Sequence, residues 1–137
     1  MKQYKIIHHT ADLRIKIFGS DIKDLFINSG YAYFDLVIEK RKKQLEISKE
    51  IKVEAFDLQS LLVSWLNELI YLFTVKELVV TEFYIKEITF KLIKAKLKCL
   101  KLSPQDSIKR EIKAATYHKV EISSTDKGSW ANVIFDV

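Results

Sequence analysis

What this chain lacks bounds it before any motif does. It has one cysteine, Cys99, one proline, Pro104, and three glycines in 137 residues. A lone cysteine cannot close an internal disulfide, nor build a thiolate zinc site by itself. So few glycines leave little material for a phosphate-cradling loop, and no nucleophile elbow or activated-cysteine motif is present. No apolar run reaches the roughly 18 residues of a membrane span, so none is expected. The opening Met1-Lys2-Gln3-Tyr4-Lys5 carries charge but no apolar segment or small-residue cleavage site, so a secretory signal is not expected either. Internal repeats and low-complexity linkers are missing as well. An intracellular, cytoplasmic protein fits these exclusions.

Arginine is scarce too: the net charge of +5 rests on lysine, with only Arg14, Arg41 and Arg110 beside it. Nucleic-acid readers tend to use arginine and exposed aromatics at their contact surfaces. Most of these lysines therefore read as a solvated surface. The rest of the composition, 48% hydrophobic and 30% charged, is ordinary globular balance. The length suits a single domain over 1–137 with its own core.

The periodicity predicts short strands over 4–8 and 13–18, where Leu13, Ile15 and Ile17 alternate with Arg14, Lys16 and Phe18. Asp21 is placed to cap a helix over 22–37, and Asp57 to cap a second over 58–73. In the second, Leu58, Leu61, Leu62, Trp65, Leu66, Leu69, Leu72 and Phe73 form a broad apolar stripe. Ser60, Ser64, Asn67, Glu68 and Tyr71 are assigned to its other side. Between the helices, 39–43 reads as a charged loop and 45–55 as a strand. Segments 78–90 and 91–102 are β-rich, with Leu92, Ala95 and Leu97 among alternating lysines marking a strand wet on one face. A polar loop over 103–110 precedes a terminal strand pair, 112–123 and 130–137, joined by a turn at 124–128. Two helices among hairpin-linked strands give an α+β fold, with the helices packed on one largely antiparallel sheet.

The end of the sequence, Ile134-Phe135-Asp136-Val137, is strand-like and apolar, and it places the Asp136 side chain beside the α-carboxylate of Val137. Two hard oxygen donors so placed call for a cation, whether a metal, a lysine or an arginine. Asp12, in His9-Thr10-Ala11-Asp12, is a third donor if the two strand ends meet. Three anions in one partly dry place repel one another, and a divalent cation resolves that. Oxygen-only ligation selects Ca²⁺ or Mg²⁺ over zinc or copper. The plain alternative is that Asp12 bonds local backbone and Asp136 is a solvated chain end. His9, Asp12 and His118 are a weaker candidate set for Zn²⁺ or Fe²⁺, since none of the usual ligand spacings is present. Neighbours on a strand face opposite ways, so His8 and His9 cannot both serve one site. Lys113, in Ile112-Lys113-Ala114-Ala115-Thr116-Tyr117-His118, is placed to neutralise the carboxylates, to contact a partner, or simply to line a polar edge.

Four strings together carry a resemblance. They are His9-Thr10-Ala11-Asp12, Trp65-Leu66-Asn67-Glu68-Leu69 with Tyr71-Leu72-Phe73, Lys113-Ala114-Ala115-Thr116-Tyr117-His118, and Asp136-Val137. In this order and spacing they resemble the archease family, over essentially the full chain. The resemblance implies a compact α+β fold and an activator rather than an independent enzyme. Its implied partner is the RtcB-type tRNA-splicing ligase, which joins 2′,3′-cyclic-phosphate or 3′-phosphate RNA ends to 5′-hydroxyl ends. The implied role is to promote GTP-dependent guanylylation of a ligase histidine, to support multiple turnover and to broaden nucleotide choice. The metal ligands it implies are Asp12, Asp136 and the Val137 carboxylate, for Ca²⁺, Mg²⁺ or Mn²⁺. His9, Lys113 and His118 are candidates for ligase contact or site support.

The chain departs from the family pattern in three places. Leu13-Arg14 stands where a branched residue and Gly are more usual, Ala115 where Val or Ile is commoner, and Asp106 near a frequent histidine. Two other classes stay open on sequence alone. One is a basic RNA-binding or chaperone-like module in tRNA processing, with steeply salt-dependent RNA binding. The other is a small metal-dependent phosphoesterase using His9 or His118 as base.

Overall fold

The computed structural model describes residues 3–9, 12–40 and 45–137, with only the backbone of His8, His9 and Lys40. Thr10, Ala11 and most of the charged segment expected at 39–43 thus lie outside the described residues. Nine strands and two helices are described: β1 (Tyr4–His9), β2 (Asp12–Gly19), α1 (Ile22–Val37), β3 (Ile38–Lys40), β4 (Glu46–Glu54), α2 (Leu58–Thr74), β5 (Leu78–Ile88), β6 (Leu92–Lys101), β7 (Ser107–Ile108), β8 (Ala114–Thr125) and β9 (Gly128–Asp136). Among the described residues, no helix is long and apolar enough to cross a membrane.

The helices begin where their caps dictate. The Asp21 carboxylate accepts from Asp24 N and that of Asp57 from Ser60 N, each at 2.8 Å. Each satisfies one of the orphan donors of a first turn. Hydrogen bonding to Ser60 holds the Asp57 carboxyl below its ordinary range. Val37 passes directly into β3, whose pairing with β7 gives the expected 103–110 loop a short ribbon of its own.

The α+β class holds, but the strands divide where one sheet was expected. They form a four-stranded sheet β1-β2-β9-β8, a three-stranded sheet β4-β6-β5 and the β3-β7 ribbon. Both helices touch both large sheets. The core joins Leu13, Ile15, Ile17, Val133 and Phe135 of the first sheet to Ile93, Ala95, Leu97 and Cys99 of the second. In β6 the inward set is therefore Ile93, Ala95, Leu97 and Cys99, and Leu92 has the other parity. The helices meet where Phe26 packs on Trp65, whose Nε1 donates to Phe26 O at 3.0 Å.

Gly30 of α1 shows how tightly this core closes. A Cβ built there would fall 2.5 Å from Phe83 Cζ. That ring is held by Tyr31, Phe34 and Trp65 and has nowhere to go. Alanine favours a helix interior by about 1 kcal/mol over glycine, but overpacking typically costs about 1–3 kcal/mol. Gly30→Ala is expected to destabilise the fold, and urea denaturation of the two proteins checks the sign.

Burial pushes the Cys99 thiol up to about 11, so at neutral pH it stays protonated inside the core. It should react with iodoacetamide at pH 8 only as fast as the protein unfolds. Peptide mapping across a denaturant series tests this.

Candidate functional site

The ends of the described sequence meet in the four-stranded sheet. β2 and β9 run antiparallel with Asp12 directly opposite Asp136, Leu13 opposite Phe135 and Arg14 opposite Ile134. Leu13 and Phe135 have no exposed surface, so the pairing of these two fixes the facing of their neighbours. A one-residue slip of either strand would turn that strand's aspartate into the core. Directly opposed residues on one face hold their Cβ atoms about 5 Å apart. Across β9, Asp136 also faces Ala114 of β8, and the Lys113 N–H donates to Asp136 O at 2.8 Å. Val137 is half-buried against the core. Asp12, Asp136 and the carboxylate of the last residue thus share one end of one sheet.

Polar atoms on the outer face of this sheet are left unsatisfied. Among the described residues, five buried side-chain atoms lack a hydrogen-bond partner: Asp12 Oδ1, Arg14 Nε, Thr116 Oγ1, Asn132 Oδ1 and the Tyr33 hydroxyl. Tyr33 lies in the core, where burial holds its hydroxyl well above the usual range. The other four sit in successive cross-strand rows of the outer face: Asp12 with Asp136, Arg14 with Ile134 and Thr116, and Lys16 with Asn132 and Glu121. Buried polar atoms in folded proteins are normally paired with protein groups or with ordered water, so these four mark where a water or a ligand would bond on this face. The donor set suits a hard divalent cation: oxygens only, one of them buried and without a partner. No group of three or more His, Cys, Asp or Glu side chains assembles among the described residues.

The neighbouring strand β8 is held by α2. Asn67 Oδ1 accepts from Ala115 N at 2.8 Å, and its Nδ2 donates to Ala115 O at 3.1 Å. The Ser64 and Tyr117 hydroxyls lie 3.4 Å apart. Asn67 and Ser64, assigned from the sequence to the polar side of the helix, in fact face this strand. The signal available was the pair Val63 and Ile70, apolar residues one turn to either side of Asn67 that extend the buried face to its position.

Beyond Thr116 the β8–β9 register shifts, and pairing resumes only at Glu121 with Asn132. Lys119 lies inside this bulge in the left-handed region, with φ 54°. His118 sits there too, exposed and four residues along β8 from the Asp136 row. It does not join Asp12 and Asp136, so His118 does not complete the weaker candidate set with His9 and Asp12. The reason is distance along the strand: Ala114, not His118, lies opposite Asp136, and four residues at about 3.3 Å each put His118 roughly 13 Å away. The backbone of His9 pairs with Leu13, one position from Asp12, and its side chain is outside the described residues. The exposed Lys113 reaches the site through its backbone N–H.

A cavity of about 500 Å³ opens elsewhere, between α1, β1 and β5. Tyr4, Tyr31 and Asp35 line it, and the Tyr4 hydroxyl donates to Asp35 there. None of the candidate site residues lines it.

Comparison with known proteins is consistent with this architecture. A family model described as the Archease protein family (MTH1598/TM1083) matches residues 4–137. The protein archease of Methanosarcina mazei is 36% identical over 141 aligned positions, covering 99% of this chain and 97% of that protein. That of Pyrococcus furiosus is 34% identical, with 100% of each covered. Among solved structures, the solution structure of Methanobacterium thermoautotrophicum protein 1598 aligns over 100% of both chains, with TM-score 0.76 and 26% identity. The crystal structure of a Thermotoga maritima archease, described as a possible chaperone, shares the fold at TM-score 0.66 and 21% identity, covering 97% of this chain and 96% of that one.

Truncating Asn67 leaves both backbone groups of Ala115 without their partner, at a cost of about 1–3 kcal/mol for each buried group left unpaired. Asn67→Ala is expected to lower stability and to speed amide hydrogen exchange at Ala115 more than at Ala131 on the neighbouring strand. Exchange read by NMR separates this local loosening from general destabilisation.

Proposed function

The chain belongs to the archease protein family, and from that premise we propose that it activates an RtcB-type RNA ligase rather than catalysing a reaction alone. The observation that carries the reading is the register of Asp12 with Asp136 at the sheet end that also holds Val137. Asp12, Asp136 and the Val137 carboxylate would hold a divalent cation, Ca²⁺, Mg²⁺ or Mn²⁺. When bound, such an ion supplies positive charge for the phosphates of a nucleotide or RNA end. The protein's own part is to keep the ligands aimed. β2 and β9 are the two central strands of their sheet, so neither aspartate rides on a free edge. Ligands on such rigid elements are held more precisely than ligands on loops.

Docked against the ligase, this sheet end would favour the state in which the ligase histidine is guanylylated from GTP. A coupling of about 1–3 kcal/mol is enough for activation of roughly 5- to 150-fold. tRNA would be met through the ligase.

The RNA-binding alternative draws less support from the surface. The lysines of the second sheet face glutamates: Lys98 to Glu82 at 3.1 Å, Lys94 to Glu87 at 3.6 Å and Lys86 to Glu50, with Lys52 on Glu54 at 3.0 Å. Glu82 holds Lys98 above its ordinary range, and Lys86 holds Glu50 below its own. A lysine face so neutralised offers little net charge to a phosphate backbone.

The test is ligase guanylylation and RNA sealing with substoichiometric amounts of this protein, GTP and Mn²⁺ or Mg²⁺. Wild type should raise turnover, and Asp12→Asn and Asp136→Asn should each remove most of that gain while remaining folded. Full activation by both variants would show the metal ligands to be misassigned. No activation by wild type would remove the proposed role.

A further inference from the structure

We propose that Arg14 is a built-in counter-ion of this site, one that competes with the divalent cation and must leave Asp12 before a metal binds. The inference rests on the metal reading above and adds a residue that works against it. Arg14 follows Asp12 by two positions on β2 and shares its face. Its Nε lies 3.7 Å from Asp12 Oδ1, an ion-pair distance too long for a hydrogen bond. Both atoms are buried without a hydrogen-bond partner, although about a third of each side chain is exposed. The pair is therefore held by charge alone, and neither partner is satisfied by the other. Among the described residues Arg14 alone makes an ion pair with Asp12. Lys16, the next basic residue along the strand, lies instead over the Trp130 ring, 4.4 Å from its centroid.

The electrostatics follow from the types of group. A guanidinium stays charged at every accessible pH, so it cannot step aside by losing a proton. Without metal, Arg14 offsets one of three clustered negative charges and leaves the sheet end tolerable. If Arg14 stayed, a bound metal would put a double positive charge a few Å from a guanidinium, beside the buried Ile134, so Arg14 has to move off Asp12 first. Like charges at such range repel by an amount worth at least about tenfold in affinity at an intermediate dielectric. The site is thus set for weak binding of a bare cation, and Arg14 sets it.

Calorimetric titration of the metal-free full chain with CaCl₂ and MnCl₂ tests this, using wild type, Arg14→Gln, Arg14→Met, Arg14→Lys and Asp12→Asn. Loss of the charge in Arg14→Gln and Arg14→Met should tighten binding at least about tenfold and enlarge the rise in Tm on adding Ca²⁺. Arg14→Lys should stay near wild type, and Asp12→Asn should lose binding. Equal or weaker binding by the two neutral variants, still abolished by Asp12→Asn, overturns the counter-ion role and leaves the metal site standing. Arg14→Lys binding as tightly as the neutral variants overturns the charge argument. No Asp12-dependent binding in any protein overturns both the inference and the site.

Discussion

The pairing of β2 with β9 is the constraint on which the rest of the structure depends. Leu13, Ile15 and Ile17 on one strand and Val133 and Phe135 on the other are fully buried, and they fix the register through every row from Asp12–Asp136 to Gly19–Ser129. Burying a large aliphatic or aromatic side chain is worth about 1.5–3 kcal/mol. A one-residue slip that turned out the three on β2 would therefore cost about 5–9 kcal/mol, more than the repulsion between two partly solvated carboxylates, on the order of 1–3 kcal/mol at about 5 Å. Core packing thus outweighs charge and forces like charges together. That is the physical meaning of an acidic pair sitting on the two central strands of a sheet.

The two large sheets handle charge in opposite ways. In the β4-β6-β5 sheet a central stripe, Lys94, Lys96 and Lys98, is flanked by glutamates on both neighbouring strands, and the pairs are exposed. Surface pairs of this kind contribute little stability and are screened by salt, but they leave no local excess of charge. On the outer face of the β1-β2-β9-β8 sheet the polar atoms are instead partly buried and unmatched. The net charge of +5 therefore points to no particular partner. The informative electrostatics lie in a few residues whose burial makes an imperfect match expensive.

Local rules carried the reading of the sequence a long way. The span of α1, the start of α2 and both aspartate caps were legible because capping and the helical period act within a few residues. The alternation of β2 was legible for the same reason. What escaped were features set by distant partners. The division into two large sheets depends on which strands share an edge, and periodicity is silent about that. The register that sets Ala114 opposite Asp136 leaves His118 four residues along β8 from the aspartates, and nothing in Thr116-Tyr117-His118-Lys119 announces either that register or the break in pairing at 117–120. Asn67 looked like surface because its partner, the backbone of Ala115, lies 48 residues away in sequence. Asp12 and Asp136 were readable as donors from their chemistry, whereas their adjacency came from the fold alone.

Arg14 ties these threads together. The register places a guanidinium in the second row, one step from two carboxylates that the core has forced side by side. Its charge relieves part of that repulsion without hydrogen-bonding to Asp12, so the relief is partial and reversible. A fully satisfied bidentate pair would close the site, and a strand without any cation would make it a strong metal trap. The arrangement found here lies between these, an ion pair at 3.7 Å without a hydrogen bond. On the proposed metal reading, linkage would impose a symmetry: a surface that drew Arg14 away would tighten metal binding, and bound metal would tighten the hold of that surface by the same factor. In the proposed role, an activator serving many ligase molecules in turn would need such a coupling to be small enough to reverse, and a competing guanidinium would keep it so.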